Sequence, residues 1–249
     1  MTMKELIKAI DVKNAAFAQS DIFTFLRDEA IEPQARLCFA PYMAHFVFSF
    51  MDINRFIIRD LQQEDAYQKL INIHSYEDAH HWPWYLHDLK KLGLDKQQSL
   101  SDTLLFLWGD KTMHSRLITY EMCALSKSLT SKQRIILVEI IEKTGSVFLA
   151  ETANVVRQCS DQNLMYYGDH HLACETGHHM GTDNVEDIIY AIDIDDEEYQ
   201  RGLEIIEQVF DLYQNFVDEM YSFTQANDFY SLLKSARYRG KVTQEKMPD

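Results

Sequence analysis

Residues 203–217, LEIIEQVFDLYQNFV, place Leu203, Ile206, Val209, Phe210, Tyr213, Phe216 and Val217 at alternating steps of three and four. That period puts them on one stripe of an α-helix and matches no strand, whose faces repeat every two residues. The same spacing recurs along most of the chain, and strict alternation over a strand's length is hard to find. The pattern predicts an all-α bundle of about seven or eight helices, near 4–28, 34–60, 64–92, 101–127, 131–158, 163–180 and 195–227, with a shorter one after it. Thr130 and Gln133 form a capping box, Gly93 and Gly181 stand where helices stop, and Pro83 should kink the third helix because it has no N–H to donate.

Only four prolines and eight glycines are spread over 249 residues, and no linker-like stretch divides them. A single domain over 1–240 is expected, with 241–249 a flexible tail. The longest apolar run, CFAPYMAHFVFSFM, is too short and too polar to span a bilayer, and the N-terminus lacks a signal-peptide core. A net charge of -15 repels nucleic acid and anionic lipid, so neither is expected as a partner. The four cysteines show no C-x-x-C spacing, as suits reduced thiols in the cytoplasm.

Two stretches carry more imidazole than folding requires. In HSYEDAHHWPWYLHDLKKLG (74–93), His74, Glu77 and His81 share a face of the expected third helix. In YYGDHHLACETGHHMG (166–181), His171, Glu175 and His178 make the same trio in reversed order, again on one face. Buried imidazoles and carboxylates are costly to desolvate unless paired, and a divalent transition metal satisfies both at once. Helical bundles build dimetal sites in this way, with a bridging carboxylate from a further helix. In TGSVFLAETANVV (144–156), Glu151 interrupts an apolar surface and is the first candidate for that bridge. Glu139 and Glu142 rank lower, because LVEIIEK has an obvious solvent-facing side. His80 also forms an E-x-x-H pair with Glu77 and competes with His74 as an additional ligand. A bland reading stands beside this one, in which the trios are polar surface stripes or hydrogen-bonded structural groups.

With W-x-W-Y-L-x-D-L-x-x-L-G after the first trio, V-F-L-A-E in the middle and the H-x-x-x-(acid)-x-x-H at the end, the chain resembles the heme-oxygenase-like diiron oxidases and oxygenases over roughly residues 64–181. These are related in fold to pyrroloquinoline-quinone synthase and thiaminase II. The resemblance implies a heme-oxygenase-like fold and two ferrous ions per chain without heme. It also implies dioxygen as cosubstrate, a small amino-acid-like or fatty-acid-like organic substrate, and a homodimer. Its implied ligands are Glu77, His81, Glu151, His171, Glu175 and His178, with Glu151 and Glu175 bridging or chelating as the catalytic carboxylates. The sequence departs from the family in having Glu175 where aspartate is usual, and in offering His74, Glu77 or both from the first helix. The competing expectation is a non-catalytic or cofactorless bundle, like the quinone synthase or thiaminase II, that binds a small metabolite. Cys123 lacks the Pro- and Trp-containing setting of the thiaminase nucleophile, and an acidic chain suits cations better than an anionic quinone precursor.

Overall fold

A computed structural model describes residues 1–62, 64–160, 163–177 and 185–226, with the side chains of 176 and 177 left out. The chain is an all-α bundle, and no strand occurs among the described residues. In chain order the helices are α1 (Met3–Phe17), α2 (Asp21–Arg27), α3 (Pro33–Arg36), α4 (Ala44–Ile53), α5 (Ala66–Asp78) and α6 (Trp82–Lys91). They continue with α7 (Leu100–Leu107), α8 (Met113–Ser126), α9 (Ser131–Val156), α10 (Asp169–Gly177), α11 (Val185–Tyr190) and α12 (Asp196–Gln225). No helix among the described residues is long and apolar enough to cross a membrane. Gly181, the tail at 241–249 and the helix expected after residue 227 lie outside the described residues.

The two longest helices follow the sequence closely. α9 starts on the Thr130/Gln133 capping box, and α12 starts on a second box, Asp195 with Glu198. The stripe at 203–217 faces inward, with Val209, Phe210, Tyr213, Phe216 and Val217 buried. Elsewhere the long periodic runs are divided. Pro41 sits in a 3-10 turn between α3 and α4, and Gly109 separates α7 from α8. Burial shared among several neighbours sustains one apolar period across such breaks, so periodicity alone overstates helix length.

The break that matters most falls after Asp78. Pro83 does more than kink the expected helix 64–92: it sits in the first turn of a new helix, α6, where its missing N–H costs nothing. His81 becomes the residue that caps α6, and it no longer lies on the helical face of α5. α6 ends at Gly93, whose φ of 68° is left-handed. Its neighbours close the turn, with Leu94 N–H donating to the Leu89 carbonyl and Gly93 N–H to that of Lys90.

α9 runs through the middle of the bundle. It packs against α1, α2, α3, α5, α10 and α12, so it has neighbours on every side. Buried apolar residues of α1, α2, α4 to α9, α11 and α12 join in one core around it.

Candidate metal centre

Among the described residues, two groups of ligand-type side chains form inside the bundle. In the first, His81, His171 and Glu175 bring one atom each to the corners of a nearly equilateral triangle. His171 Nε2 lies 3.0 Å from His81 Nδ1 and 3.1 Å from Glu175 Oε1, and His81 Nδ1 lies 3.3 Å from that same oxygen. Ligands bound at about 2.1 Å to an octahedral ion sit about 3.0 Å from their cis neighbours, so this triangle has the dimensions of three ligands on one face of an ion.

The tautomer of His171 agrees. Its Nδ1 lies 2.9 Å from the Tyr166 carbonyl, to which only an N–H can donate. Nε2 is therefore the lone-pair nitrogen of the neutral ring and points at the other two groups. Trp84 stacks on His81 at 4.5 Å between ring centres and meets His171 edge-on, which holds both imidazoles in place.

The second group is His74, Asp78 and Glu142. His74 Nε2 lies 3.1 Å from Asp78 Oδ2 and 3.1 Å from Glu142 Oε1. Among the described residues, His74 Nδ1 and Asp78 Oδ1 are buried without a hydrogen-bond partner, which native interiors rarely tolerate. Burial pulls the His74 imidazolium toward neutrality, but Asp78 and Glu142 outweigh it and hold its pKa well above the ordinary histidine value. Burial likewise raises the Glu142 carboxyl, with His74 opposing it. One turn away, burial pushes the Glu139 carboxyl up to about 7.

Asp78, Glu142, His81, His171 and Glu175 all line one cavity of ≈ 90 Å³. Glu142 and Glu175 feel each other's charge. The two groups thus face a common space, with Tyr166, Tyr213 and Thr144 as the other polar lining groups among the described residues.

Of the residues singled out from the sequence, His81, His171, Glu175 and His74 come together here. Glu77 and His80 are exposed, and His80 Nδ1 bonds the Tyr76 carbonyl 2.7 Å away. Glu151 lies two and a half turns beyond Glu142, about 13 Å along α9, and is ion-paired to Arg27 at 2.6 Å. Arg157 pairs with Asp169 on the surface. His178 lies outside the described residues.

Asp78 and Glu142 stand where Glu77 and Glu151 were expected. Continuing one helix through residue 81 placed Glu77 between His74 and His81, but α5 stops at Asp78 and buries the face carrying Ile71, His74, Ser75 and Asp78. A signal was present in the sequence. His74, Asp78 and His81 follow H-x-x-x-D-x-x-H, the same spacing in the same direction as His171, Glu175 and His178. Glu142 looked solvent-facing because LVEIIEK has a polar side, yet that side of α9 is covered by α5 and α10.

A third residue, Asp88, supports the centre from behind. Its fully buried carboxylate accepts from the backbone N–H groups of Met165, Tyr166 and Tyr167 at 2.7, 2.8 and 3.0 Å. This fixes the turn that carries the Tyr166 carbonyl to His171. Gly168 completes the turn, because a Cβ there would collide with the Leu164 carbonyl oxygen, which is backbone and cannot step aside. Gly168→Ala should lower the stability of the protein by about 2 kcal/mol in denaturant titration, through a strained turn and a displaced α10.

No protein-family model matches the chain, and no curated protein matches it.

Proposed function

We propose that the two groups bind a pair of divalent iron ions and that the protein is a dioxygen-using oxidase or oxygenase of a small organic substrate, with the fold of the heme-oxygenase-like diiron family. The observation that carries this reading is the pairing of two nitrogen and carboxylate triads on one cavity. Mixed imidazole and carboxylate donors suit iron or manganese. Such a pair of ions supplies, when bound, the electrons that dioxygen needs to react with an organic molecule.

The residues of the chain have distinct tasks in that scheme. His171 presents a lone pair at Nε2 because its Nδ1–H donates to the Tyr166 carbonyl. Glu142 would hold an ion together with His74 and Asp78, and because it lines the cavity that Glu175 also lines, it replaces Glu151 as the candidate for a shared carboxylate. Tyr166 and Tyr213 place phenols beside the carboxylates, and burial keeps both protonated, so they are hydrogen-bond donors at any physiological pH. Phe46, Phe148, Trp82 and Phe216 exclude water from the space in front.

Anaerobic titration of the metal-free protein with ferrous ion, counting metal per chain, tests the reading. About two ions bound by the wild type, one or none by His171→Ala, and a transient visible absorption on mixing the loaded wild type with oxygen are the expected results. Absence of specific uptake would leave a bundle held by polar networks. One observation favours that second reading: a protonated His74 between Asp78 and Glu142 already offsets one of the two carboxylate charges and pairs with both side chains without metal.

Loading should also depend on pH with a defined sign. His74 holds its proton to above the ordinary histidine pKa, so a metal ion must displace that proton across the neutral range. The ferrous concentration for half-loading therefore rises as pH falls from about 8 to about 6, by about tenfold per unit for each proton displaced. A pH-independent titration would show that His74 is not a ligand.

A further inference from the structure

Arg36, the last residue of α3, is 1 % exposed and is the only lysine or arginine buried among the described residues. Its Nη1 donates to the Leu26 carbonyl at 2.7 Å, its Nη2 donates to Gln158 Oε1, and its Nε is buried without a partner. Both acceptors are neutral, and no carboxylate pairs with Arg36 among the described residues. A guanidinium keeps its proton in any protein, so it cannot relieve its burial by becoming neutral. The Leu26 carbonyl, at the end of α2, offsets part of the charge. Burying the remainder is costly unless an anion answers it.

Arg36 borders a cleft of ≈ 390 Å³, within the range of small-molecule sites. The cleft lies where α2, α3 and α9 end, and it shares no lining residue with the cavity of the triads. Two further arginines border it, but Arg27 is paired with Glu151 and Arg157 with Asp169. Among the described residues, Arg36 is thus the one arginine of the cleft without a carboxylate. Gln158, which accepts from it, is exposed and free to turn outward.

Charge and shape narrow the ligand. One positive charge is left over, and one negative charge answers it. Glu29 and Glu151 border the same cleft and repel a second. The Nε and Nη2 edge of a guanidinium matches the two oxygens of a carboxylate. Leu26 is the only apolar lining residue described, so a hydrocarbon body gains little here and a hydroxylated one fits the wall.

We propose that this cleft is a binding site for the carboxylate of a small, hydroxylated organic acid. One carboxylate oxygen takes the place of Gln158 Oε1 at Arg36 Nη2, and the other reaches Nε. Gln158 is a neutral stand-in that turns outward when the acid enters, and Asn154 on the rim offers its amide to the body. The site is separate from the triads and stands whether or not they hold metal.

Calorimetric titration of the full-length protein at physiological ionic strength with glycerate, glycerol and glycerol 3-phosphate tests the proposal. Glycerate should bind, glycerol should not, and glycerol 3-phosphate should bind more weakly than glycerate. Arg36→Met should weaken glycerate binding about tenfold to 100-fold, as expected for the loss of a hydrogen-bonded charge. Gln158→Glu serves if that variant fails to fold. It places a carboxylate on Arg36 from within the chain, so it should raise the urea midpoint and abolish glycerate binding. No binding of glycerate by the wild type, or undiminished binding by Gln158→Glu, overturns the site. A lower urea midpoint for Gln158→Glu overturns it too, because Arg36 then needs no anion. Glycerol 3-phosphate binding as tightly as glycerate overturns the choice of a singly charged ligand. Glu29→Gln separates a ligand from an internal counter-ion: removing a rim charge should tighten glycerate binding by about twofold to fivefold. A lower urea midpoint in that variant without tighter binding makes Glu29 the partner of Arg36 and overturns the proposal.

Discussion

Glu142→Ala should reduce ferrous binding at the His74 group by at least about 100-fold, whereas Glu151→Ala should leave the metal count per chain unchanged. The loss of an indirectly acting partner of a metal ligand already costs about 10- to 100-fold in affinity, so the loss of a ligand should cost no less. Glu142 contributes an oxygen 3.1 Å from His74 Nε2 and borders the same cavity as the second group, so its removal affects both. Glu151 is ion-paired to Arg27 far along α9, and that partly exposed pair contributes little to anything but the local surface. Metal analysis after anaerobic loading and desalting separates the two variants directly. Retention of both ions by Glu142→Ala, or their loss in Glu151→Ala, would reverse the assignment of the carboxylate.

Asp88→Ala should cost about 4 kcal/mol of folding stability, although Asp88 touches neither triad. Three backbone N–H groups around residues 165–167 depend on its carboxylate, those of Tyr166 and Tyr167 in buried surroundings. Each buried donor left without a partner costs about 1–3 kcal/mol, and the turn can relax enough to recover only part of that. Asp88→Asn keeps one good acceptor oxygen and should fold with a smaller loss. In that variant the Tyr166 carbonyl is less firmly held, the His171 ring loses its fixed tautomer, and ferrous affinity should fall about 10- to 100-fold. Urea titration of both variants with ferrous binding to the asparagine form checks this. A stability loss within about 1 kcal/mol for the alanine variant would show that the turn finds other partners.

The two predictions share a physical origin. Metal ligands tolerate little displacement, and of the proposed ones His171 is fixed by the turn before its helix and His81 by a ring of the helix it caps. The Tyr166 carbonyl and the ring of Trp84 hold His171 and His81, and Asp88 holds the turn that supplies Tyr166. The exposed acids that account for much of the net charge of -15 take no part in this.

Local chemistry determined a good deal by itself. The three- and four-residue spacing at 203–217 required a helix with one buried stripe, and the residue pairs Thr130/Gln133 and Asp195/Glu198 set where α9 and α12 begin, because capping depends only on neighbours along the chain. His81, His171 and Glu175 were legible as a group because their residue types are too costly to bury for no purpose. Tertiary structure alone decided which carboxylates join them. Pro83 can kink a helix or begin a new one, and only the packing of α5 and α6 makes it the start of α6, which turns Asp78 inward and Glu77 outward. The polar side of α9 reads as a solvent face in any single-helix projection, and becomes interior only because α5 and α10 cover it and bring His74 to Glu142. Amphipathic period records which residues share a face, but what that face meets is fixed by the other helices.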